Sequence, residues 1–257
     1  MLFVPIVGIK SLKFYYIDKF MQGKGVHMCL AHVAQQSSDY RVYYRKLAED
    51  SYVIMDNGAA EGQLMDIEEL LKMVYQVKPT EVVVRDSLNN MEKTLHQFDV
   101  FPFEEMISLG VHSFMLVPQG QTIEEYLECT KELLERANHM ELNFTLGISR
   151  FMNKVGVSRP EYMEKVREVI LGYVRPYEEI HILGCNSLYE IREIQEAHKE
   201  HLGGVIKLRS FDTGLAEISA QKGQTITANG RSEHLDFFSE ETNSVLLMEN
   251  LKILDKE

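Results

Sequence analysis

Short apolar runs rich in β-branched residues alternate along the chain with longer stretches in which apolar positions recur three or four residues apart. The runs are "LFVPIVGI", "VHMCLAHV", "YVIMDN", "EVVVRD", "SFMLVPQG", "NFTLGIS", "EIHILG" and "GVIKLRSFD". Between them lie "SLKFYYIDKFMQG", "SSDYRVYYRKLAED", "DIEELLKMVYQV", "MEKTLHQFDVFPFEEMISLG", "TIEEYLECTKELLERANH", "RPEYMEKVREVILGYV" and "SLYEIREIQEAHKEHLG". Apolar positions at that spacing on an acidic or mixed background predict amphipathic helices packed against a sheet. Ser38-Asp39, Thr122 with Glu125, and Ser187 with Glu190 mark helix starts; the last two have capping-box spacing. Beyond about Ala220 the period weakens. There "ITANGRSEHLDFFSEETNS" predicts loops and a capping segment, and "VLLMENLKIL" a last helix.

Eight strands alternating with helices predict an α/β fold, a closed (β/α)8 TIM barrel in a single domain. The runs are apolar enough to be buried on both faces, as barrel strands are. On this reading residues 1–219 form the barrel, and residues 220–257 complete or cap it. An open doubly wound sheet is the rival arrangement. No Gly-x-Gly-x-x-Gly follows the first strand, so a dinucleotide fold has no direct support.

Composition narrows the class. A chain of 257 residues with 45% hydrophobic and 26% charged residues can bury a sizeable core. Its net charge of −12 argues against a protein coated in positive charge, leaving a local basic groove as the way to hold nucleic acid. The cysteines, Cys29, Cys129 and Cys185, are widely spaced and lack C-x-x-C or Cys/His zinc spacing. That pattern argues against a disulfide framework or a zinc knuckle and suits a reducing, cytoplasmic setting. No apolar run approaches the ~18 residues of a membrane span, and "MLFVPIVGIKSLKF" has neither a basic leader nor a small-residue cleavage site. A soluble intracellular protein with no membrane partner is expected.

In a barrel the reacting groups sit at the C-terminal strand ends and in the loops behind them. Those ends carry His32, Asp56-Asn57-Gly58, Asp86, Gln119-Gly120, Gly147, Gly184 and Asp212. Each has a plain structural reading: a turn for Asp56-Asn57-Gly58, a helix N-cap for Asp86, a cap or turn for Asp212. Together they ring one mouth with carboxylates, an amide and small residues that leave room for a flat ligand. Carboxylates beside an amide suit a guanine-like edge. His27 and His32 flank the second strand end and fit a core or loop role more readily than a catalytic one. Arg85, Lys207 and Arg209 offer phosphate contacts, although Arg85 suits a rim salt bridge with Asp86 equally well. "DYRVYYRK" sets Tyr40, Tyr43 and Tyr44 beside Arg41 and Arg45. That stretch could grip and stack nucleic acid, or supply core aromatics at helical spacing. The methionines read as packing.

The order of these strand ends resembles the tRNA-guanine transglycosylase superfamily, including its DNA-acting relatives that insert 7-deazaguanine bases. In that family the third strand ends Asp-Ser-Gly-Gly-Phe-Gln. Here Asp56-Asn57-Gly58-Ala59-Ala60-Glu61 keeps the Asp, the first Gly and a polar residue five places on. Asp86 in "VVVRDS" matches the aspartate ending the fourth strand, and "VPQG" with Gln119 and Gly120 matches Val-Gln-Gly on the fifth. Gly147 in "LGIS" matches the glycine-rich turn of the sixth, and "ILGCNS" resembles Leu-Met-Gly-Val-Gly on the seventh. Asp212 in "RSFDTG" matches the nucleophilic aspartate of the last strand. The likeness spans roughly residues 50 to 215. The tRNA enzymes are longer and carry a Cys-rich zinc subdomain after the last strand, which has no counterpart here. That departure points to the small, zinc-free, phage-type branch and to DNA rather than tRNA as the polymer.

The resemblance implies base exchange through a covalent sugar–aspartyl ester, the chemistry of retaining glycoside enzymes. Asp212 is then the nucleophile at the sugar C1′, and Asp56 the acid/base that protonates departing guanine and deprotonates a free 7-deazaguanine base. Asp86, Gln119, Gly120 and the backbone at Gly147 read the purine edge, with His32, Asn57 and Gly58 completing the substrate-binding set. The target nucleotide leaves its stack to enter such a pocket. No cofactor and no metal is called for. Two other readings stay open. One is a barrel enzyme for a small phosphorylated metabolite, holding phosphate at "GCNSLYE" and "LGG" near Gly184 and Gly204. The other is a non-catalytic binder of a modified purine.

Overall fold

The apolar runs become strands that pair in parallel, each with its sequence neighbour. In the computed structural model these are β1 (Leu2–Pro5), β2 (Val26–Leu30), β3 (Tyr52–Asp56), β4 (Glu81–Val83), β5 (Ser113–Leu116), β6 (Phe144–Ser149), β7 (Glu179–Leu183) and β8 (Lys207–Thr213). The hydrogen-bonded order is β1-β8-β7-β6-β5-β4-β3-β2, and β1 and β2, the two ends of that order, lie side by side. The result is a nearly closed (β/α)8 barrel. The structure describes residues 1–173, 178–227, 237 and 242–257.

The helices are α1 (Tyr15–Gln22), α2 (Ala31–Gln36), α3 (Ser38–Leu47), α4 (Ile67–Val77), α5 (Met91–Asp99), α6 (Phe103–Ser108), α7 (Ile123–His139), α8 (Arg159–Ile170), α9 (Leu188–Ala197), α10 (Leu215–Gln221) and α11 (Ser244–Leu254). Thr122 and Ser187 cap α7 and α9 through the amides of Glu125 and Glu190. The two glutamates close their boxes one residue further out, on the amides of Gln121 and Asn186. At α3 the cap is Ser37, which accepts from the Tyr40 amide, one residue before the expected Ser38. The expected helix over 91–110 is two helices, because Pro102 has no amide to donate and cannot continue α5. The run "VHMCLAHV" ends as a strand at Leu30, and the chain turns at once into α2. His32 therefore lies on a helix rather than at a strand end.

The 219/220 boundary falls inside α10, which packs on α11, and α11 also meets α1. The C-terminal segment thus completes the helix layer. Most of the expected loop over 226–244 lies outside the described residues. No helix among the described residues is long and apolar enough to cross a membrane. Cys29, Cys129 and Cys185 are buried and unpaired.

The barrel interior has a polar layer below the mouth. Between Ile180 and His181 the β7–β8 register slips, Ile180 facing Leu208 and His181 facing Ser210, so Arg209 is an extra residue on β8. A bulge of this kind re-aims side chains. Arg209 and Ser210, adjacent in sequence, both reach inward. The Arg209 guanidinium bonds both oxygens of the fully buried Glu81, at 2.8 and 3.2 Å, and also Thr145 and Tyr52. Arg209 is thus committed to the barrel interior, and Lys207 pairs with Glu179 at the opposite end from the mouth. Neither reaches the phosphate-contacting position their sequence offered.

Candidate active site

The C-terminal strand ends enclose one cavity whose empty space, counted out to the solvent at its opening, is about 930 Å³. That is the size of a small-molecule site. Asp56 from the end of β3, Glu61 from the following loop, Asp86 beyond β4 and Asp212 near the end of β8 all line it. Its walls include Ile6, Leu30, Val117, Leu183, Phe151 and Phe237, and Arg150 is the one basic side chain among its described lining residues.

Asp56 does two things. Its Oδ2 accepts from the Gly58 amide at 2.9 Å, the turn bond that Asp-x-Gly chemistry predicts, and its side chain still faces the cavity. Burial, first, and then the adjacent Glu61 carboxylate push the Asp56 carboxyl well above the usual range, with Asp86 and Asp212 adding to the effect. Glu61 rises too, mainly by burial, and its Oε2 has no hydrogen-bond partner. For both carboxyls burial disfavours the charged form, and the neighbouring carboxylates push the same way.

Asp86 is held at both oxygens. Asn57 Nδ2 donates to Oδ1 at 3.0 Å, and Gln119 Nε2 donates to Oδ2 at 2.6 Å. Burial nonetheless raises its carboxyl to about 6, against the pull of those two amides. Gln119 is fully buried, does not line the cavity, and takes the Asn89 amide on its Oε1. It positions Asp86 rather than facing a ligand. Asn57 both lines the cavity and braces Asp86, with a second bond to the Val84 carbonyl.

Asp212 Oδ1 accepts from His181 Nε2 at 3.0 Å and from the Gly184 amide at 3.1 Å. Nothing among the described residues bonds Oδ2. Arg150, directly after β6, donates to Asn186 just past the neighbouring β7 and stacks over Phe151.

Other expected residues stand elsewhere. Gly58 has φ +80°, and a Cβ there would lie 2.5 Å from the Gln63 carbonyl oxygen. Its smallness serves the closure of its own loop rather than ligand approach. Gly120 abuts the start of α7, and Gly147 is packed beneath Val117 and Leu183; neither lines the cavity. His32 sits behind the wall, edge-on to Phe237, and burial lowers its pKa. His27 is fully buried with both ring nitrogens unpartnered, and burial lowers it to about 4. Tyr40 and Tyr44 are fully buried and Tyr43 packs against the core, so "DYRVYYRK" presents no aromatic stacking face. For the metabolite reading, Gly204 precedes β8 and Gly184 follows β7, which puts them at opposite ends of the barrel. The turn at Gly184 is braced by the buried Arg159, which bonds the Leu183 carbonyl and Glu190.

Glu61, Arg150 and His181 are the site groups that strand-end reading misses. Glu61 sits on a loop whose path only the fold sets, Arg150 opens a 3-10 turn directly after β6, and His181 lies mid-strand. No three His, Cys, Asp or Glu side chains among the described residues are grouped to hold a metal ion. Compared with models of known protein families and with curated proteins, the chain matches none.

Proposed function

We propose that the protein exchanges a guanine base in a nucleic acid, DNA rather than tRNA, for a free 7-deazaguanine derivative. One observation carries this reading: four carboxyl groups from separate chain segments converge on a single cavity in three chemically different states. Asp56 has its pKa raised by burial and by its carboxylate neighbours, which suits a general acid. Asp86 is braced by two amides in the way a base-edge reader needs. Asp212 has one oxygen saturated and one open, which suits a nucleophile.

Asp212 Oδ2 attacks C1′ as the C1′–N9 bond breaks. The electron pair enters the purine, and Asp56 delivers the proton that neutralises it. The incoming base returns that proton to Asp56 as its ring nitrogen bonds C1′ and the ester opens. Proton count is restored after each cycle. Asp86 accepts from the N1–H and exocyclic amine of a guanine-type edge. Arg150 at the opening is placed for the polymer's phosphate. Tyr15 and Tyr16, 67% and 74% exposed at the start of α1, follow the C-terminal end of β1 and so offer stacking faces on the mouth side.

The test is mass spectrometry of DNA and tRNA from cells expressing the protein, alongside purified protein incubated with either polymer and a labelled 7-deazaguanine. Label incorporated into DNA, lost in Asp212→Asn, is the expected result. Intact guanine in both polymers overturns the proposal.

A further inference from the structure

A line of hydrogen bonds runs from the polar layer of the barrel to the mouth. Glu81 grips Arg209; Arg209 Nε donates to Ser210 Oγ at 3.2 Å; Ser210 Oγ lies 2.8 Å from His181 Nδ1; and His181 Nε2 lies 3.0 Å from Asp212 Oδ1. Arg209, Ser210 and His181 are all buried, and the β8 bulge is what allows adjacent residues 209 and 210 to join the same line.

Donor and acceptor roles along it follow from chemistry. A guanidinium only donates, so Ser210 Oγ accepts from Arg209. The Ser210 hydroxyl then has its own proton to place, and the acceptor facing it among the described residues is His181 Nδ1. The imidazole proton therefore sits on Nε2 and points at Asp212. With the Gly184 amide, this gives Oδ1 two donors and leaves Oδ2, without a bond among the described residues, as the oxygen free to react in the cavity that Asp212 lines.

From this we infer that His181 is a positioning residue, locked as its Nε2–H tautomer by the Glu81–Arg209–Ser210 line, that selects which Asp212 oxygen reacts and eases opening of the sugar ester. The inference rests on the base-exchange reading for its kinetic half only. When Oδ2 bonds C1′, Oδ1 becomes the ester carbonyl. When the C1′–Oδ2 bond breaks, its electron pair returns to the carboxylate just as the two donors on Oδ1 are in place to receive it. A donor that favours the carboxylate assists its departure and restrains its attack. Loss of His181 should therefore slow ester opening more than ester formation.

Two measurements separate the parts. Long-range ¹H–¹⁵N spectra of the histidine rings at neutral pH, with His181 assigned by the signals lost in His181→Gln, should show the Nε2–H tautomer, and Ser210→Ala should weaken that preference. In single-turnover exchange, His181→Leu should accumulate protein–sugar adduct, opening it about 10²-fold more slowly. His181→Gln, which keeps an N–H for Asp212, should restore most of the rate. An Nδ1–H tautomer in the unaltered protein overturns the inference, as does a His181→Leu variant with formation and opening slowed alike. If no exchange occurs with any polymer, the base-exchange reading fails while the spectra still decide the line. If His181→Leu does not fold, the spectra of the unaltered protein and Ser210→Ala decide it.

Discussion

The Gln119 amide donates to Asp86 Oδ2 at 2.6 Å, strapping the end of β5 to the residue that β4 delivers to the cavity. This bond favours the charged carboxylate, while burial opposes it and leaves the carboxyl at about 6. A guanine-type edge, which presents donors, binds the charged form. Its affinity should be full above about 6 and fall by roughly tenfold per pH unit below that. Removing the strap in Gln119→Leu takes away a bond that lowers the pKa, so the fall should begin at higher pH. Calorimetric titration with guanine-type and hypoxanthine-type bases from pH 5 to 8 checks both points. A site built for the exocyclic amine rejects its absence, by up to about 10⁴-fold. Equal affinity for the two bases would remove Asp86 as an edge reader.

Asp56 owes part of its raised pKa to the charge on Glu61. Exchange that needs protonated Asp56 should fade as pH rises through its pKa. In Glu61→Gln the neighbouring negative charge is gone, so Asp56 loses its proton at lower pH and the alkaline limb of the rate profile should move down. Asp56→Ala should lose about 10²- to 10⁴-fold in rate on the acid side of that limb, and the gap to the unaltered protein should narrow along it. An alkaline limb unmoved by Glu61→Gln would separate the two acids.

Asp212→Asn preserves shape and an oxygen for His181 but offers a poor nucleophile. Purine binding should stay within a few-fold of the unaltered protein while adduct formation disappears. Denaturing mass spectrometry of protein mixed with nucleic acid reads this directly. Adduct surviving in Asp212→Asn would move the nucleophile to another of the cavity carboxylates.

The Glu81–Arg209 pair is buried on both sides, with Arg209 7% and Glu81 0% exposed at the side chain. Breaking such a pair leaves one uncompensated buried charge, at a cost of about 3–5 kcal/mol, whereas removing both partners is far milder. Glu81→Leu and Arg209→Met should each lower unfolding stability by that order. The double variant should recover much of the loss, as measured by urea denaturation. Additive losses would mean that the two side chains act through separate contacts with Tyr52 and Thr145.

Period and turn chemistry alone dictated the barrel. Eight β-branched runs alternating with helical stretches can bury both faces of their strands in few other ways. The two caps at Thr122 and Ser187 were legible because capping is a local bond between residues three apart. The same locality placed Asp56, Asp86 and Asp212 beyond apolar runs, hence at the mouth. Tertiary structure decided what each does there. Gln119 and Asn57 became braces for Asp86 because β3, β4 and β5 are neighbours in the sheet, a relation across 29 and 33 residues of chain. His181 became a partner of Asp212 through a one-residue slip between β7 and β8, and no spacing rule within a strand announces a slip of that kind. Glu61 raised Asp56, and Asp212 and Asp86 raised Glu61, only once burial removed the water that would have screened them.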